Sequence, residues 1–191
     1  LRLPLVPHPA SAVHARGLCA GVELQRRVSA AELEAGGGGV LALVYRFEGE
    51  VERVRLPLAA ASPERHDGLW RHSCAELFVA EPDARDYREF NFAPSGHWAA
   101  YAFTDYRAGM HPHAWAVGAP QIALHHEPGA LELRVQLPWE ALPQAPRLRL
   151  GLTAVLEMLD GSFGFWALRH PQERPDFHHR DGFAVELEGS A

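Results

Sequence analysis

The 191-residue chain contains no lysine; all eighteen basic side chains are arginine. We read that uniformity as GC-rich codon usage, not as a functional device. Cysteine is scarce, with only Cys19 and Cys74. Two cysteines exclude a disulfide-built scaffold, and a pair of free thiols is expected. No apolar run approaches the roughly 18 residues that a membrane-spanning helix needs. An excess of positive charge is missing as well. The formal net charge is −6, which argues against DNA or RNA as a partner. Catalytic and cofactor signatures are also missing. No GxSxG, Walker-type, GxGxxG, HExxH, paired CxxC or CxxCH sequence occurs. The opening "LRLPLVPHPAS" shows no charged segment followed by a long apolar one. A cytoplasmic location is therefore expected. A secreted or periplasmic one stays open, because a signal removed upstream would not show.

What is present is the material of a core. Hydrophobic residues make up 47% and charged residues 22%, which suits a folded chain and not a disordered one. The length fits a single domain over residues 1–191. The dominant period is two. "VELQRRV" (22–28) alternates Val22, Leu24 and Val28 with polar residues, and "LELRVQL" (131–137) does the same with Leu131, Leu133, Val135 and Leu137. "FAVELE" (183–188) repeats the pattern, and "LRLGLTAVLEML" (148–159) puts Leu148, Leu150, Leu152, Ala154 and Leu156 on one face. "VLALVYRF" (40–47) and "SFGFWAL" (162–168) are apolar on both faces, as fully buried strands are. Turn residues separate these runs at "GGGG" (36–39), "EGE" (48–50), "APSGH" (93–97), "EPGA" (127–130) and "LDGS" (159–162). Helical pattern is scarce. "VSAAELEA" (28–35), with Ser29 and Glu32 as a capping box, and "PWEAL" (138–142) offer a turn or two each. Roughly eleven strands at this spacing predict an all-β, antiparallel β-sandwich whose strand order cannot be read from pattern.

The most informative stretch for function is the hairpin "YREFNFA" (87–93), "PSG", "HWAAYAF" (97–103). Arg88, Phe90 and Phe92 share one face; Tyr87, Glu89 and Asn91 share the other. Two phenylalanines anchor the core, which aims a tyrosine, a carboxylate and an amide at the opposite surface. The return strand adds Trp98 or Tyr101, according to register. An aromatic ring beside a carboxylate and an amide suits a sugar, because the ring stacks on C–H groups while the polar groups fork onto hydroxyls. The plain alternative is a wet sheet face with no ligand. Just upstream, "DGLWRHSCAELFV" (67–79) puts Glu76 on a face with Cys74 and Phe78, where it needs an arginine or a ligand as partner. Trp70 lies in the loop before it, as a stacking platform or a plug.

"RHPQERPDFHH" (169–179) packs three histidines and an aspartate into a loop broken at Pro171 and Pro175. His170, Asp176 and His178 are the right types for a metal, but their spacing matches no metal signature. The other reading is that His170 and Asp176 bond each other in a stiff pocket wall. "GMHPHAW" (109–115) sets Met110 beside two histidines. Methionine and histidine form the axial pair of some haem proteins.

Five stretches, in order, resemble a bacterial family of DOMON-like domains related to the family-9 carbohydrate-binding modules. They are "DGLWRHSCAELFV", "YREFNFAPSGHWAAYAFTDYRAGM", "LPWEAL", "GLTAVLEMLDGSFGFWAL" and "HPQERPDFHHRDGF". The resemblance runs from about "PHPAS" to the last strand. It implies a sandwich of jelly-roll type that binds sugars or haem. Sugar-binding relatives use tryptophan with arginine, glutamate and asparagine, types supplied here by Trp70, Glu76, Glu89, Asn91, Trp98 and Trp166. Haem-binding relatives use a methionine and a histidine, for which Met110 and His170 are the nominees for a b-type haem.

The expectation is thus a non-catalytic domain with no cofactor, whose small-molecule ligand is a carbohydrate or sugar-like metabolite. Its candidate residues are Trp70, Glu76, Tyr87, Glu89, Asn91, Trp98, Tyr101, Trp166, His170, Asp176 and His178. Three alternatives remain open. One is haem at Met110 and His170. Another is a hydrolase or isomerase using Glu76, Glu89 and the 170–178 loop as acid and base. The last is a module that docks another protein.

Overall fold

The computed structural model describes residues 1–28 and 39–189. The expected helix over 28–35, with its Ser29 cap, falls almost wholly outside the described residues. Twelve strands occur among those described: β1 (Arg2–Pro7), β2 (Cys19–Arg27), β3 (Val40–Glu48), β4 (Cys74–Ala80), β5 (Tyr87–Phe92), β6 (Trp98–Phe103), β7 (His111–Pro112), β8 (Gln121–Glu127), β9 (Ala130–Pro138), β10 (Arg147–Glu157), β11 (Phe163–Ala167) and β12 (Val185–Glu188). One short helix, α1 (Val13–Arg16), follows β1, and "PWEAL" closes as a single 3-10 turn at Trp139–Ala141.

Every strand pair is antiparallel. The front sheet runs β7-β6-β5-β4-β10-β11, and the back sheet runs β2-β3-β9-β8. β1 joins them: Arg2–Leu5 pair with β2, while Val6 and Pro7 pair with β11. β12 and β11 lie end to end along one edge of β10, with β12 on Arg147–Leu150 and β11 on Thr153–Glu157. The chain is an all-β antiparallel sandwich, as its alternation predicts.

The alternation also decides what fills the space between the sheets. Leu41, Leu43, Tyr45 and Phe47 of β3 and Leu131, Leu133, Val135 and Leu137 of β9 face inward from the back. Leu77 and Val79 of β4, Phe90 and Phe92 of β5, and Leu148, Leu150, Leu152 and Leu156 of β10 face inward from the front. Val28, expected to continue the apolar face of β2, lies beyond the end of the strand and is exposed. Tyr45 spans the core, and its hydroxyl donates to the main-chain carbonyl of Glu76 at 2.7 Å. That bond pins β4 from behind.

The outer face of the front sheet is not wet. Phe78, Ala80, Tyr87, Ala99, Tyr101, Phe103 and Phe183 form a second buried cluster there, so all seven residues of β4 are buried. The cover is the loop between β11 and β12, with the 3-10 turn Leu69–Arg71 beside it. Phe183 is the anchor. It is fully buried, its ring centroid 5.7 Å from that of Phe78, and burying such a ring stabilises by about 1.5–3 kcal/mol. Gly151 makes the room. A Cβ at that position would sit 2.9 Å from Phe183 Cδ1 and 3.3 Å from Phe78 Cβ. Gly151→Ala is therefore expected to destabilise the protein by about 1–3 kcal/mol through overpacking. A thermal or urea unfolding midpoint checks this, and an unchanged midpoint would mean that Phe183 is not seated there.

Candidate functional site

Register builds the site across five strands of the front sheet. Tyr101, Glu89, Phe78 and Gly151 lie in one cross-strand row. Ala99, Asn91, Glu76, Thr153 and Ala167 form the next. Cys74, Val155 and Phe165 form a third. Two carboxylates from neighbouring strands thus face the same side, beneath the covering loop. A cavity of about 360 Å³ lies between sheet and loop. Trp70, Phe103, Met110, Val155, Phe165, Pro175 and Phe177 supply its apolar walls; Glu76, Glu89, Arg107 and His178 supply its polar groups.

Each polar group has a specific setting. Thr153 Oγ1 donates to Glu76 Oε2 at 3.0 Å. Asn91 Nδ2 donates to Glu89 Oε1 at 2.8 Å. Of the two partners open to Glu76, an arginine or a ligand, no arginine is in place; among the described residues none lies within 4 Å of either glutamate. Burial pushes the Glu76 carboxyl well up, the nearby charge of Glu89 adds to this, and the Thr153 hydroxyl opposes it. Burial likewise raises Glu89 to about 7, against the Asn91 hydrogen bond and the Arg107 charge. His178 Nδ1 lies 2.8 Å from the Tyr87 hydroxyl, whose oxygen also accepts the Arg107 main-chain N–H at 3.2 Å. The assignment that uses every group has Tyr87 donating to Nδ1. The ring proton is then on Nε2, 3.9 Å from Glu89 Oε2. Burial first and Arg107 second push His178 down to about 4, Asp176 opposing them, so the ring is neutral.

Arg107 is held in its turn. It is the one non-glycine residue among those described with a positive φ, 51°. That left-handed turn brings its main-chain N–H to Tyr87 and its guanidinium to Asp176, with Nη2 at 2.8 Å and Nε at 3.2 Å. Tyr106 also donates to Asp176, and Asp176 Oδ1 accepts the His178 N–H at 3.1 Å. Burial pushes Asp176 up, but the Tyr106 hydroxyl and the Arg107 charge outweigh it and hold the carboxylate below its ordinary range.

The structure sorts the sequence-predicted residues. Trp70, Glu76, Glu89 and His178 line the cavity. Asn91 and Tyr87 are buried behind it, holding Glu89 and His178. Tyr101 packs edge-on against Trp70 at 5.4 Å and donates to Asp67 at 2.7 Å. Asp176 braces Arg107. Trp98 and Trp166 do not belong to the site. Trp98 pairs with Phe92, which turns it into the sandwich against Trp115. Trp166 is buried between the sheets, edge-on to Phe47 at 5.9 Å. On an alternating strand it is the adjacent Phe165 that faces the cavity.

His170 is also elsewhere. Its Nε2 donates to the Val6 carbonyl at 2.9 Å and its ring meets His8 at 4.8 Å, so it does not bond Asp176. Its lone pair is on Nδ1, which is buried without a partner. Of the two haem nominees, Met110 lines the cavity and His170 is not among its lining residues. No three histidine, cysteine, aspartate or glutamate side chains converge on a metal position among the described residues. Phe103, Arg107, Val155, Phe165, Pro175 and Phe177 went unnominated. Period two reaches Phe103 from Tyr101 and Val155 from Thr153, whereas nothing local marks Arg107.

No protein-family model matches the chain, and no curated protein matches it by sequence. Solved structures do match it. One is a candidate carbohydrate-binding protein from Bacteroides uniformis, with a TM-score of 0.66 at 17% identity over 100% of this chain and 86% of that one. Another is a family-9 carbohydrate-binding module from Caldicellulosiruptor kristjanssonii in complex with cellotriose. Its TM-score is 0.54 at 10% identity, over 100% and 82% of the two chains. The chain shares its overall fold with these two structures. At such identities the likeness is one of fold, and fold alone does not assign a site. The Glu76, Glu89 and His178 arrangement rests on the geometry above. Among the described residues no helix is long and apolar enough to cross a membrane.

Glu89 carries a linkage consequence. Its folded value of about 7 exceeds that of a free glutamate, so the folded state keeps a proton that the unfolded chain releases. That contribution is fully present below about pH 4 and is lost as pH rises toward 7. Glu76 acts in the same direction. His178 acts oppositely: its contribution is present above about pH 6.5 and lost as pH falls toward 4. Glu89→Gln removes the first effect and weakens that of Glu76, which the Glu89 charge helps to raise. Thermal unfolding from about pH 5 to about pH 7.5 should show the wild type losing stability relative to Glu89→Gln as pH rises. Parallel curves would show that Glu89 is ionised throughout.

Proposed function

We propose that this chain is a non-catalytic, DOMON-like binding domain whose cavity takes a carbohydrate or a sugar-like metabolite. The observation that carries the reading is the cavity's composition. Aromatic rings wall a space whose floor presents two carboxylates, backed by an amide and a hydroxyl. The volume lies at the small end of the roughly 300–1,000 Å³ typical of small-molecule sites, which suits one or two sugar rings. Trp70 and Phe177 offer faces for the C–H groups of a pyranose. Protonated Glu76 and Glu89 offer both donors and acceptors to vicinal hydroxyls. The family-9 fold of the cellotriose-bound module supports the same reading.

A second reading, acid–base turnover of a bound sugar, draws on Glu89. A carboxyl near 7 is poised to give or take a proton at neutral pH.

Calorimetry against a panel of mono- and oligosaccharides tests binding. At least one sugar is expected to bind at millimolar affinity or better. Trp70→Ala should weaken that sugar by about tenfold, the loss of roughly one stacking contact. Silence across the panel at millimolar concentration removes the reading. Consumption of the bound sugar by the wild type but not by folded Glu89→Gln would replace it with the catalytic one.

A further inference from the structure

The charge balance of the cavity bears on what its ligand carries. Glu76 and Glu89 are 2% and 5% exposed, and both reach the cavity. Their hydrogen bonds come from neutral donors, Thr153 and Asn91. Glu76 Oε1 and Glu89 Oε2 have no hydrogen-bond partner among the described residues. The cations that sit near are committed or absent. Arg107 forks onto Asp176, and His178 is a neutral ring set on Tyr87. The other groups around the pair, Tyr87, Tyr101 and Cys74, bring no positive charge, and Asp67 and Asp176 bring more negative charge. Arg107, paired with Asp176, acts on Glu89 only from beyond ion-pair distance, and two buried carboxylates side by side are costly as a doubly ionised pair, so they favour holding protons until a closer cation arrives. The walls around them include the rings of Trp70, Phe103, Phe165 and Phe177, side chains whose π-systems can attract a cation.

We propose that the ligand bears an ammonium group, as in a hexosamine with a free amine, and that this group lies between Glu76 and Glu89 against the aromatic walls. The proposal rests on the sugar reading above and sharpens it. In the bound state the ammonium N–H groups donate to Glu76 Oε1 and Glu89 Oε2. Of the two protons that the carboxyls hold in the free protein, one leaves to solvent and the other stays on the pair, so that the positive charge of the ligand replaces the released proton one for one. Arg107 and Asp176 remain paired and take no part in the exchange.

The experiment is calorimetry on the whole protein at about pH 6, where a hexosamine is an ammonium ion. The probes are glucosamine, glucose, N-acetylglucosamine and the sugar-free cation tetramethylammonium. Glucosamine is expected to bind about tenfold or more tightly than glucose, as one charge-assisted contact provides. Its apparent enthalpy should change with the ionisation heat of the buffer, reporting proton release, whereas glucose shows no such dependence. N-acetylglucosamine, of similar shape but uncharged, should resemble glucose. Glu76→Gln and Glu89→Gln, each checked for folding by its melting curve, should narrow the glucosamine preference. Equal affinity for glucosamine and glucose overturns the ammonium proposal and leaves the sugar reading standing. Binding of tetramethylammonium as tightly as glucosamine overturns both the sugar reading and the N–H contacts to the two glutamates, because that cation carries neither a sugar nor an N–H. No binding by any of the four probes overturns the proposal, and the wider saccharide panel then judges the sugar reading by itself.

Discussion

The loop between β11 and β12 lies against the outer face of the front sheet, and the cavity exists because that loop is fastened along its whole length. His170 binds the Val6 carbonyl at one end, and the Gln172 carbonyl lies 3.1 Å from His8 Nε2. In the middle, Asp176 holds Arg107 while His178 meets Tyr87. At the far end Phe183 drops into the space that Gly151 leaves, and Arg180 donates to the carbonyls of Ala84 and Asp86. His179 accepts the Asp181 N–H at the last turn. The three histidines of "RHPQERPDFHH" therefore do three separate things, and only His178 reaches the cavity. Pro171 and Pro175 add stiffness by removing backbone freedom.

Covering a sheet face that carries two glutamates has an electrostatic cost. In water Glu76 and Glu89 would ionise freely. Beneath the loop they lose solvent and gain only a threonine hydroxyl and an asparagine amide. A buried charge without its partner is unfavourable, so the carboxyls keep their protons. A protein optimised only for stability would place leucine there. Retaining two acids in a largely buried, aromatic-walled space fits the binding role proposed above, because what is unfavourable in the free protein becomes favourable once a suitable partner enters. The Tyr45 bond to the Glu76 carbonyl and the Asn91 amide hold the acids still, which lowers the ordering cost on binding.

How much of this was legible in the sequence differs by level. The sandwich was, since a period of two over many short runs admits little else. So was the sharing of a face by Tyr87, Glu89 and Asn91, and by Cys74, Glu76 and Phe78, because side chains on a strand alternate. Whether such a face is wet or covered was not legible. The covering residues lie some 90 positions further along the chain, as with Tyr87 and His178. The arginine sought for Glu76 was a sound local expectation, and Thr153, from a strand 77 positions away, took its place. Arg107 was missed because its role depends on a left-handed turn and on Asp176, 69 positions distant.

The tryptophans show where the division falls. Sequence placed Trp98 beside a hairpin and Trp166 in a strand, and a carbohydrate reading made both attractive. One step of register decided otherwise. Trp98 is opposite Phe92 and Trp166 opposite Ala154, so both point between the sheets, while Tyr101 packs into the outer cluster beside Trp70 and Phe165 lines the cavity. By itself the sequence determined the class of fold, the members of each strand face and the identity of the two acids, because these follow from local stereochemistry. The tertiary structure alone decided which faces adjoin, which is covered, and that Glu76 and Glu89 share one cavity with no arginine among the described residues at ion-pair distance from either. Pairing between strands far apart in the chain sets those facts, and no local pattern encodes it.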